Sequence, residues 1–250
     1  MDPPVFDTYS RYYDLLYRDK DYDAEANYVC TLLSRHCVNF CDILEFGSGT
    51  GGHGRVLADK GFTVHGIERS AQMVASAQIR SPGFTCQQGD ITTIDMGRTY
   101  GLVLALFHVV SYQTTDKQLQ AVFTNAAVHL DPRGIFLFDF WYSPAVYAQK
   151  PSLRVKRMAD NKVEITRIAE PTIYPGENRV DVRYTIFARE LVNGTVHTLQ
   201  EVHPMRHFSL PEIDLIAGNH GFERIAAEEF LTGKSPSEAT WGVCAVLQKR

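Results

Sequence analysis

The sequence contains no block of basic residues and no uninterrupted apolar stretch of the roughly 20 residues that a membrane-spanning helix needs. Its formal net charge is −4 at pH 7, which argues against nucleic acid or an anionic membrane surface as the main partner. The opening stretch, MDPPVFDTYSRYYD, lacks the charged start and apolar run of a secretion signal. We therefore expect a cytoplasmic protein with no nucleic-acid or membrane partner, acting as a monomer or homodimer.

Cysteine is also scarce, with five residues and no Cys-x-x-Cys pair among them. An odd number at irregular spacing in an intracellular context indicates reduced thiols rather than a disulfide framework. The group formed by His36, Cys37 and Cys41 lacks the paired spacing of a zinc site. The sequence thus predicts no metal site.

Apolar runs alternate with helix-like segments through the first 140 residues. Strands are predicted at 42–46, 62–68, 84–90, 100–107 and 134–140, and helices at 22–37, 52–60, 70–80 and 116–130. The strands are apolar throughout, which is typical of a parallel sheet covered on both faces by helices. From Ser209 onward a helix and two apolar segments, 222–230 and 241–248, have the composition to complete that sheet.

The segment between these two parts has a different pattern. Residues 154–208 show apolar and polar residues in alternation, with turn signals at 160–161, 175–178 and 193–194. This pattern predicts an antiparallel meander of three or four strands that packs by one face. We therefore divide the chain into an α/β domain of residues 1–141 plus 209–250 and an antiparallel insertion of residues 142–208.

Four glycines follow the first predicted strand, within DILEFGSGTGGHG at 42–54. A glycine-rich turn from a strand into a helix offers backbone N–H groups and close approach to a ligand. The dinucleotide-binding spacing G-x-G-x-x-G is satisfied by Gly47, Gly49 and Gly52. A different spacing, G-x-G-x-G, is satisfied by Gly47, Gly49 and Gly51. The turn alone therefore leaves open whether NAD or S-adenosylmethionine (SAM) binds.

Three carboxylates near the predicted strand ends narrow the choice. Glu68 ends the second strand, 19 residues after Gly49, where a carboxylate accepts both hydroxyls of a ribose. Both cofactors carry that ribose. Glu45, however, stands two positions before Gly47, where a negative charge favours a cationic ligand over a pyrophosphate. Asp90, after Gly89, is placed to accept a hydrogen bond from adenine, with Ile91 against the ring.

These motifs together resemble the class I SAM-dependent methyltransferases. The resemblance rests on EFGSGTG (45–51), GIE (66–68) with Met73, and GDI (89–91), and it extends over nearly the whole chain. The stretches YYDLLY (12–17), HFSLPEI (207–213) and WGV (241–243) are similar to the small-molecule branch, particularly to enzymes that N-methylate nucleotide-linked amino sugars. The resemblance implies a Rossmann-like seven-stranded methyltransferase sheet with an inserted antiparallel β-meander as a lid.

The resemblance also implies a SAM site along the ends of the first four strands. Its residues are Glu45, Gly47, Gly49, Gly51, Glu68, Arg69, Met73, Gly89, Asp90, Ile91 and Leu106. The glycines approach the methionyl part, Glu68 holds the ribose, and Asp90 with Ile91 binds adenine. Leu106 presents its backbone to the methionyl amine. Tyr13, Tyr17 and Tyr22 close the site from the N-terminal side.

The acceptor side is predicted from the residues that follow the fourth and fifth strands, because ligands lie at the carboxyl ends of such sheets. His108 and Tyr112 are the first candidates for proton transfer, and His207 is a third, pointing in from the meander. Asp139, Trp141 and Tyr142 come next, and Trp141, Tyr142 and Trp241 are expected to line the acceptor pocket. Arg206 is expected to meet a phosphate or carboxylate of the acceptor.

The function implied is SAM-dependent methyl transfer to a nitrogen or oxygen of a small molecule, with an amino sugar on a nucleotide as the favoured acceptor. Three alternatives remain open at this point. They are an O-methyltransferase or glycine/sarcosine-type N-methyltransferase, an NAD-dependent oxidoreductase, and a non-catalytic methyltransferase-like subunit.

Overall fold

A computed structural model describes residues 12–36, 41–78 and 82–250 of the chain. Seven α-helices occur among them: α1 (Tyr13–Leu16), α2 (Tyr22–Arg35), α3 (Gly52–Asp59), α4 (Ala71–Ala77), α5 (Asp116–Val128), α6 (Ser143–Gln149) and α7 (Leu210–Asn219). The predicted ends of two helices, at residue 37 and at 79–80, lie outside the described residues, as does Cys37.

Seven strands form one sheet in the order β10-β11-β5-β4-β1-β2-β3. They are β1 (Asp42–Phe46), β2 (Thr63–Glu68), β3 (Phe84–Gln88), β4 (Tyr100–Ala105), β5 (Leu130–Trp141), β10 (Phe222–Glu229) and β11 (Gly242–Lys249). Only β11 runs antiparallel to its neighbours. The mixed α/β architecture and the seven-stranded sheet confirm the predicted fold class.

The central strands are apolar because both of their faces are covered. Side chains of β4 and β5 are buried on either face, within two separate clusters of apolar residues. Phe123 of α5 packs edge-on against Phe136 and Phe138 of β5, with ring centroids 5.4 and 5.7 Å apart. These contacts cover one face of the sheet, while α2 and α3 cover the other. Helices on both faces are what an alternating strand and helix pattern requires.

Strand β5 is longer than its prediction of 134–140, since it begins at Leu130. Leu130 pairs with Tyr100, and the register then shifts so that Ile135 pairs with Leu102. Residues 131–134, with the sequence DPRG, form an irregularity inside the strand, where Arg133 has a φ of +64°. The strand continues past this irregularity because the shift in register accommodates the extra residues.

A second sheet of four strands follows α6, in the sequential order β6-β7-β8-β9. Its strands are β6 (Arg154–Ala159), β7 (Val163–Tyr174), β8 (Arg179–Glu190) and β9 (Val196–Arg206), all antiparallel. One face is apolar: Ile165 and Ile186 pack in a buried cluster with Leu16 of α1 and Met73 of α4. The meander therefore packs by one face, as its alternation predicts, and it packs over the glycine-rich end of the larger sheet.

Candidate cofactor and acceptor site

A cavity of about 350 Å³ opens where β1, β2, β3 and β4 end. The strand order reverses at β1: the chain continues from β1 to β2 and β3 on one side and then crosses from β3 to β4 on the other, and such a switch point is where open α/β sheets bind ligands. Twelve residues predicted from the sequence line this cavity: Tyr13, Tyr22, Gly47, Gly49, Glu68, Arg69, Met73, Gly89, Asp90, Ile91, Leu106 and Tyr112. Most of the residues predicted to bind the cofactor, because they follow strand ends, thus line one cavity.

The glycine-rich turn adopts a conformation that favours glycine. Gly47 and Gly49 have φ values of +67° and +55°, in the left-handed region that side chains other than glycine rarely occupy. The N–H groups of Gly47 and Ser48 both donate to the carbonyl of Ile67, at 2.8 and 3.1 Å. These bonds tie the turn to the end of β2, so the cavity floor is fixed by backbone rather than by side chains.

Glu68 links the same turn to the start of α4. One carboxylate oxygen accepts from the N–H of Gly49 at 3.0 Å, and the other accepts from the N–H of Ser70 at 2.8 Å. The side chain is buried, and burial raises its pKa against the opposing effect of these backbone donors. Each carboxylate oxygen has more than one lone pair, so both retain capacity for a hydroxyl from a ligand in the cavity.

The far end of the cavity is formed by the loop after β3. One oxygen of the exposed Asp90 carboxylate accepts from the backbone N–H and the hydroxyl of Thr92, at 2.8 and 2.7 Å. The amide of Asn125 donates to the carbonyl of Ile91 at 2.8 Å. Ile91 packs against the core and offers an apolar wall. The loop is thus held in place while keeping both a carboxylate and an apolar surface at the cavity.

Two predicted cofactor residues, Glu45 and Gly51, are not among the residues that line the cavity. Glu45 lies below the turn, 2% exposed, with its carboxylate 3.8 Å from Nδ1 of His53. Burial, aided by the charge of Glu68, raises the pKa of Glu45 to about 8. A carboxyl that is mostly neutral and outside the cavity lining gives no support to that argument from charge, and the cofactor role of Glu45 stays a prediction. Gly51 instead begins α3 at a φ of +81°.

Tyr17 also lies outside the cavity, unlike Tyr13 and Tyr22. Its ring packs on Tyr13 and on Phe107, with centroids 4.7 and 5.1 Å apart. Its hydroxyl accepts from the guanidinium of Arg167 on β7 at 3.1 Å. Tyr17 therefore joins α1 to the four-stranded sheet, and its prediction as a residue that closes the cofactor site is corrected to a position behind Tyr13.

The backbone after β4 is strained. Phe107 and His108 have φ values of +67° and +64° in succession, a conformation that is uncommon for residues with side chains and that clusters at functional sites. Buried Asp139 accepts from the N–H of His108 at 2.9 Å and lies 2.7 Å from Nδ1 of its imidazole. Burial raises the pKa of Asp139, but the contacts with His108 outweigh it and leave that pKa below its usual range.

Two predicted acceptor residues, Trp141 and Trp241, stand beside His108 rather than on the cavity wall. Their rings meet edge-on with centroids 6.1 Å apart, and the ring of Trp141 lies 6.1 Å from that of His108. The indole of Trp241 donates to Gln149 at 2.7 Å. His108 and the two tryptophans thus form an aromatic group next to the cavity. That the tryptophans line the acceptor pocket stays a prediction.

Arg206 and Tyr142 are placed elsewhere. The guanidinium of Arg206 donates to Asp116 and to Glu212, each at 2.7 Å. These two ion pairs link β9 to α5 and α7. Because both carboxylates already bind the guanidinium, the prediction that Arg206 binds an anion of the acceptor is corrected. Tyr142 packs against the core beside Phe208 and does not line the cavity.

His207 is buried in the protein interior, away from the cavity. Its Nδ1 shares a hydrogen bond of 2.8 Å with the hydroxyl of Ser143, and its ring meets that of Tyr147 edge-on at 5.0 Å. Burial, aided by the charge of Arg206, lowers the pKa of His207 to about 4. The structure therefore gives His207 a packing position and removes the geometric basis for its predicted catalytic role.

The depressed pKa of His207 predicts acid sensitivity of the fold. The unfolded chain binds this proton near pH 6.5 whereas the folded chain does so near 4, so stability is lost as pH falls through this window. The unfolding free energy of the wild type should fall between pH 6.5 and 4. We expect this fall to be smaller by roughly 3 kcal/mol in His207→Asn. Urea unfolding at several pH values measures it. His197→Asn, at an exposed position, should keep the wild-type slope; equal slopes in all three proteins would contradict the assignment.

Tyr112 lines the cavity, and its hydroxyl reaches a pair of residues that sequence reasoning missed. That hydroxyl lies 3.0 Å from Nδ1 of His203, and Nε2 of His203 lies 3.2 Å from a carboxylate oxygen of Glu201. His203 and Glu201 are two residues apart in a segment of alternating pattern, so they share a face of β9. That spacing was available in the sequence, although nothing there pairs it with Tyr112.

Comparison with known proteins identifies the family. The sequence profile described as "Methyltransferase domain" matches residues 43–134. A dTDP-3-amino-3,4,6-trideoxy-alpha-D-glucopyranose N,N-dimethyltransferase from Streptomyces venezuelae is 30% identical over 177 residues, covering 70% of this chain and 74% of that protein. The chain belongs to the SAM-dependent methyltransferases. SAM is therefore the cofactor of this methyltransferase.

Other relatives agree with that assignment. A dTDP-3-amino-3,6-dideoxy-alpha-D-glucopyranose N,N-dimethyltransferase from Streptomyces fradiae is 28% identical to this methyltransferase over 70% of its chain and 69% of the relative. The sugar N-methyltransferase KedS8 from Streptoalloteichus has the same fold, with a TM-score of 0.83, 19% identity, and coverage of 100% of this chain and 96% of that one.

The described part of the chain has neither a metal-binding cluster nor a membrane-spanning helix. No cluster of three or more His, Cys, Asp or Glu side chains in residues 12–36, 41–78 and 82–250 has a metal-binding arrangement. Within the same ranges, no helix of this methyltransferase is long and apolar enough to cross a membrane.

Proposed function

We propose that this methyltransferase transfers a methyl group from SAM to the amino nitrogen of a sugar carried on a nucleotide. The observation that carries the proposal is the match, over 70% of the chain, to two relatives named as N,N-dimethyltransferases of dTDP-linked amino sugars. A cavity at the carboxyl ends of the strands, lined by the half-buried Tyr112, supports it. The net charge of −4 also favours a small-molecule partner over a nucleic acid.

The cavity fits the cofactor along its length. Glu68 lines the cavity, and each of its carboxylate oxygens has a lone pair left to accept one of the two ribose hydroxyls. Asp90 and Ile91 offer the polar and apolar contacts that an adenine needs, and Met73 adds a second apolar wall. At the other end, Gly47 and Gly49 leave room for the methionyl part, because neither carries a side chain.

SAM supplies an activated methyl group on a positively charged sulfur, so the leaving group is built into the cofactor. The protein's residues position the two reactants and exclude water. Tyr13 and Tyr22 cover the cavity from the N-terminal side, next to Gly52 and His53 of α3. Leu106 ends β4 at the cavity and offers its backbone to the methionyl amine. These placements are our assignments of roles to residues that line the cavity.

We further propose that residues 142–208 cover the acceptor site while residues 1–141 and 209–250 hold the cofactor. Pro204 of β9 lines the cavity, and the contact between Tyr112 and His203 joins the two sheets directly beside it. The aromatic group of His108, Trp141 and Trp241 lies where a sugar or nucleobase ring would pack. His108, held by Asp139, remains a candidate for proton transfer in this position.

A panel of dTDP-linked sugars tests the proposal. Purified protein is incubated with SAM and, separately, with 3-amino, 4-amino and hydroxyl-only dTDP sugars, and products are followed by liquid chromatography and mass spectrometry. We expect the amino sugars to gain one or two methyl groups, with one S-adenosylhomocysteine formed for each. Methylation of the hydroxyl-only sugar would indicate an O-methyltransferase. Turnover of glycine or sarcosine alone would indicate a different acceptor class, and either result contradicts the proposal.

A further inference from the structure

A buried chain of hydrogen-bonding groups leads away from the acceptor side of the cavity. It starts at the hydroxyl of Tyr112, which is half-buried on the cavity wall, and continues to His203, which is 1% exposed, and to Glu201, which is 7% exposed. The two contacts measure 3.0 and 3.2 Å. Burying a carboxylate and an imidazole in the protein interior is unfavourable unless they are hydrogen-bonded. Such a buried pair therefore calls for a structural or functional explanation.

The chemistry of the three groups fixes the direction of the chain. An ionised carboxylate only accepts hydrogen bonds, so Glu201 requires the proton of His203 on Nε2. The lone pair is then on Nδ1, and it accepts the O–H of Tyr112. Burial lowers the pKa of His203, against the opposing effect of Glu201. The resting imidazole is therefore neutral, oriented by Glu201, and able to receive a proton at the atom that faces Tyr112.

From this geometry we infer that Tyr112, His203 and Glu201 form a proton relay that removes the proton of the acceptor nitrogen. The inference rests on the proposed amine acceptor. Aliphatic amines are protonated near neutral pH, and a protonated nitrogen has no lone pair to attack the methyl group. The ammonium gives a proton to the oxygen of Tyr112 while the phenolic proton moves to Nδ1 of His203. The nitrogen lone pair then forms the N–CH₃ bond as the S–CH₃ bond breaks.

The proton stays on His203 as an imidazolium beside the Glu201 carboxylate, and it returns through Tyr112 to solvent once the product leaves. Tyr112 is the catalytic residue of the relay because it is the one of the three that lines the cavity and contacts the acceptor in this scheme. His203 and Glu201 are positioning residues that act through it. A carboxylate that orients an imidazole and stabilises its charged form has the same role in serine hydrolases.

Other charged and titratable groups face His203 from each element packed against it. The ring of Tyr184 on β8 meets the imidazole edge-on at 4.7 Å. Arg167 on β7 lies 5.0 Å above the Tyr184 ring, and its charge opposes protonation of His203. Tyr112 on the 3₁₀ turn and Glu201 on β9 contact the two ring nitrogens. The single carboxylate among these groups is Glu201, so Glu201→Gln should impair the relay in the same direction as a change of His203.

The decisive kinetic test is the pH profile of His203→Gln on an amino-sugar nucleotide. At pH 7 we expect kcat to fall about a hundredfold, the scale of a lost general base, with KM and S-adenosylhomocysteine affinity within about twofold of wild type. The deficit should shrink as pH rises, because solvent then deprotonates the amine. Tyr112→Phe should behave alike, and the double variant should lose no more than either single one.

His197→Gln and Glu190→Gln are matched controls on the same sheet. His197 also lies on β9 and contacts a carboxylate, that of Glu190, at 3.1 Å, but both groups are exposed. These variants should keep the wild-type profile. A His203→Gln enzyme with wild-type kcat at every pH would overturn the relay. So would a deficit that stays constant with pH and comes with weakened cofactor binding, which marks a structural role.

A second measurement does not depend on the acceptor. Nitrogen-15 NMR of histidine side chains, with His203→Gln used to assign the signal, reports which ring nitrogen carries the proton. We expect His203 to carry it on Nε2 at pH 7. A proton on Nδ1 would overturn the relay whatever the substrate is. If the wild type methylates no amine at all, the proposed function fails even where the tautomer is as expected, so the two failures are distinguishable.

Discussion

Replacing Glu68 by alanine is expected to weaken the binding of S-adenosylhomocysteine about a hundredfold. A hydrogen bond to a charged group contributes about 1.5–3 kcal/mol, and our proposed ribose contact gives this carboxylate two such bonds. A loss of about 3 kcal/mol corresponds to roughly a hundredfold in Kd. The change also frees the N–H groups of Gly49 and Ser70 from their acceptor, which loosens the turn that the methionyl part approaches. Titration calorimetry measures the effect.

A matched control for this variant is Glu228→Ala. Glu228 is 8% exposed, as Glu68 is, and it pairs with Arg35 at 2.6 Å, at the opposite edge of the larger sheet. Its loss should lower stability while leaving S-adenosylhomocysteine affinity unchanged. Glu68→Gln should fall between wild type and Glu68→Ala, because the amide keeps one acceptor oxygen. Full affinity in Glu68→Ala would mean that the ribose binds elsewhere and that the cofactor assignments along the cavity are wrong.

Gly47→Ala is expected to destabilise the fold by about 2–5 kcal/mol. A side chain at the φ of +67° that Gly47 adopts is strained by about 1–2 kcal/mol. In addition, the new Cβ would lie 2.5 and 2.9 Å from the two methyl carbons of Val109. Overpacking of this kind adds about 1–3 kcal/mol. Since Val109 begins the 3₁₀ turn that carries Tyr112, the displacement should also slow methyl transfer.

Gly61→Ala separates the two contributions to that loss. Gly61 has a φ of +98°, and a Cβ there meets nothing within 4 Å. It therefore reports the backbone strain alone, about 1–2 kcal/mol. Urea unfolding of the two variants gives the comparison, and S-adenosylhomocysteine titration shows whether the turn still binds. Equal destabilisation by the two substitutions would show that the contact with Val109 relaxes easily and that the turn is not closely packed.

Most of the cofactor side of the site was predictable because it follows from strand ends. The carboxyl ends of parallel strands meet at one edge, so Gly47, Glu68, Asp90 and Leu106 converge whatever the details of packing. The periodic alternation of residues 154–208 likewise predicted an antiparallel meander, since side-chain direction in a strand alternates strictly. These inferences need only local pattern and general topology.

The errors concern residues whose neighbours are distant in the sequence. Arg206 is held by Asp116, 90 residues away, and His203 meets Tyr112 across 91 residues. No local pattern reports such pairs. Glu45 lies outside the cavity lining for another reason: alternate residues of a strand point to opposite faces, and residues 43–46 of β1 are all buried, so polarity does not indicate which face carries Glu45.

A crystal structure of the ternary complex with S-adenosylhomocysteine and a dTDP-linked amino sugar tests the account most directly. We predict that the ribose hydroxyls lie within hydrogen-bond distance of Glu68. The sugar nitrogen should lie within hydrogen-bond distance of the Tyr112 hydroxyl and face the sulfur of the cofactor product. An acceptor bound with a hydroxyl in place of that nitrogen, or with its nitrogen directed away from Tyr112, would contradict the account.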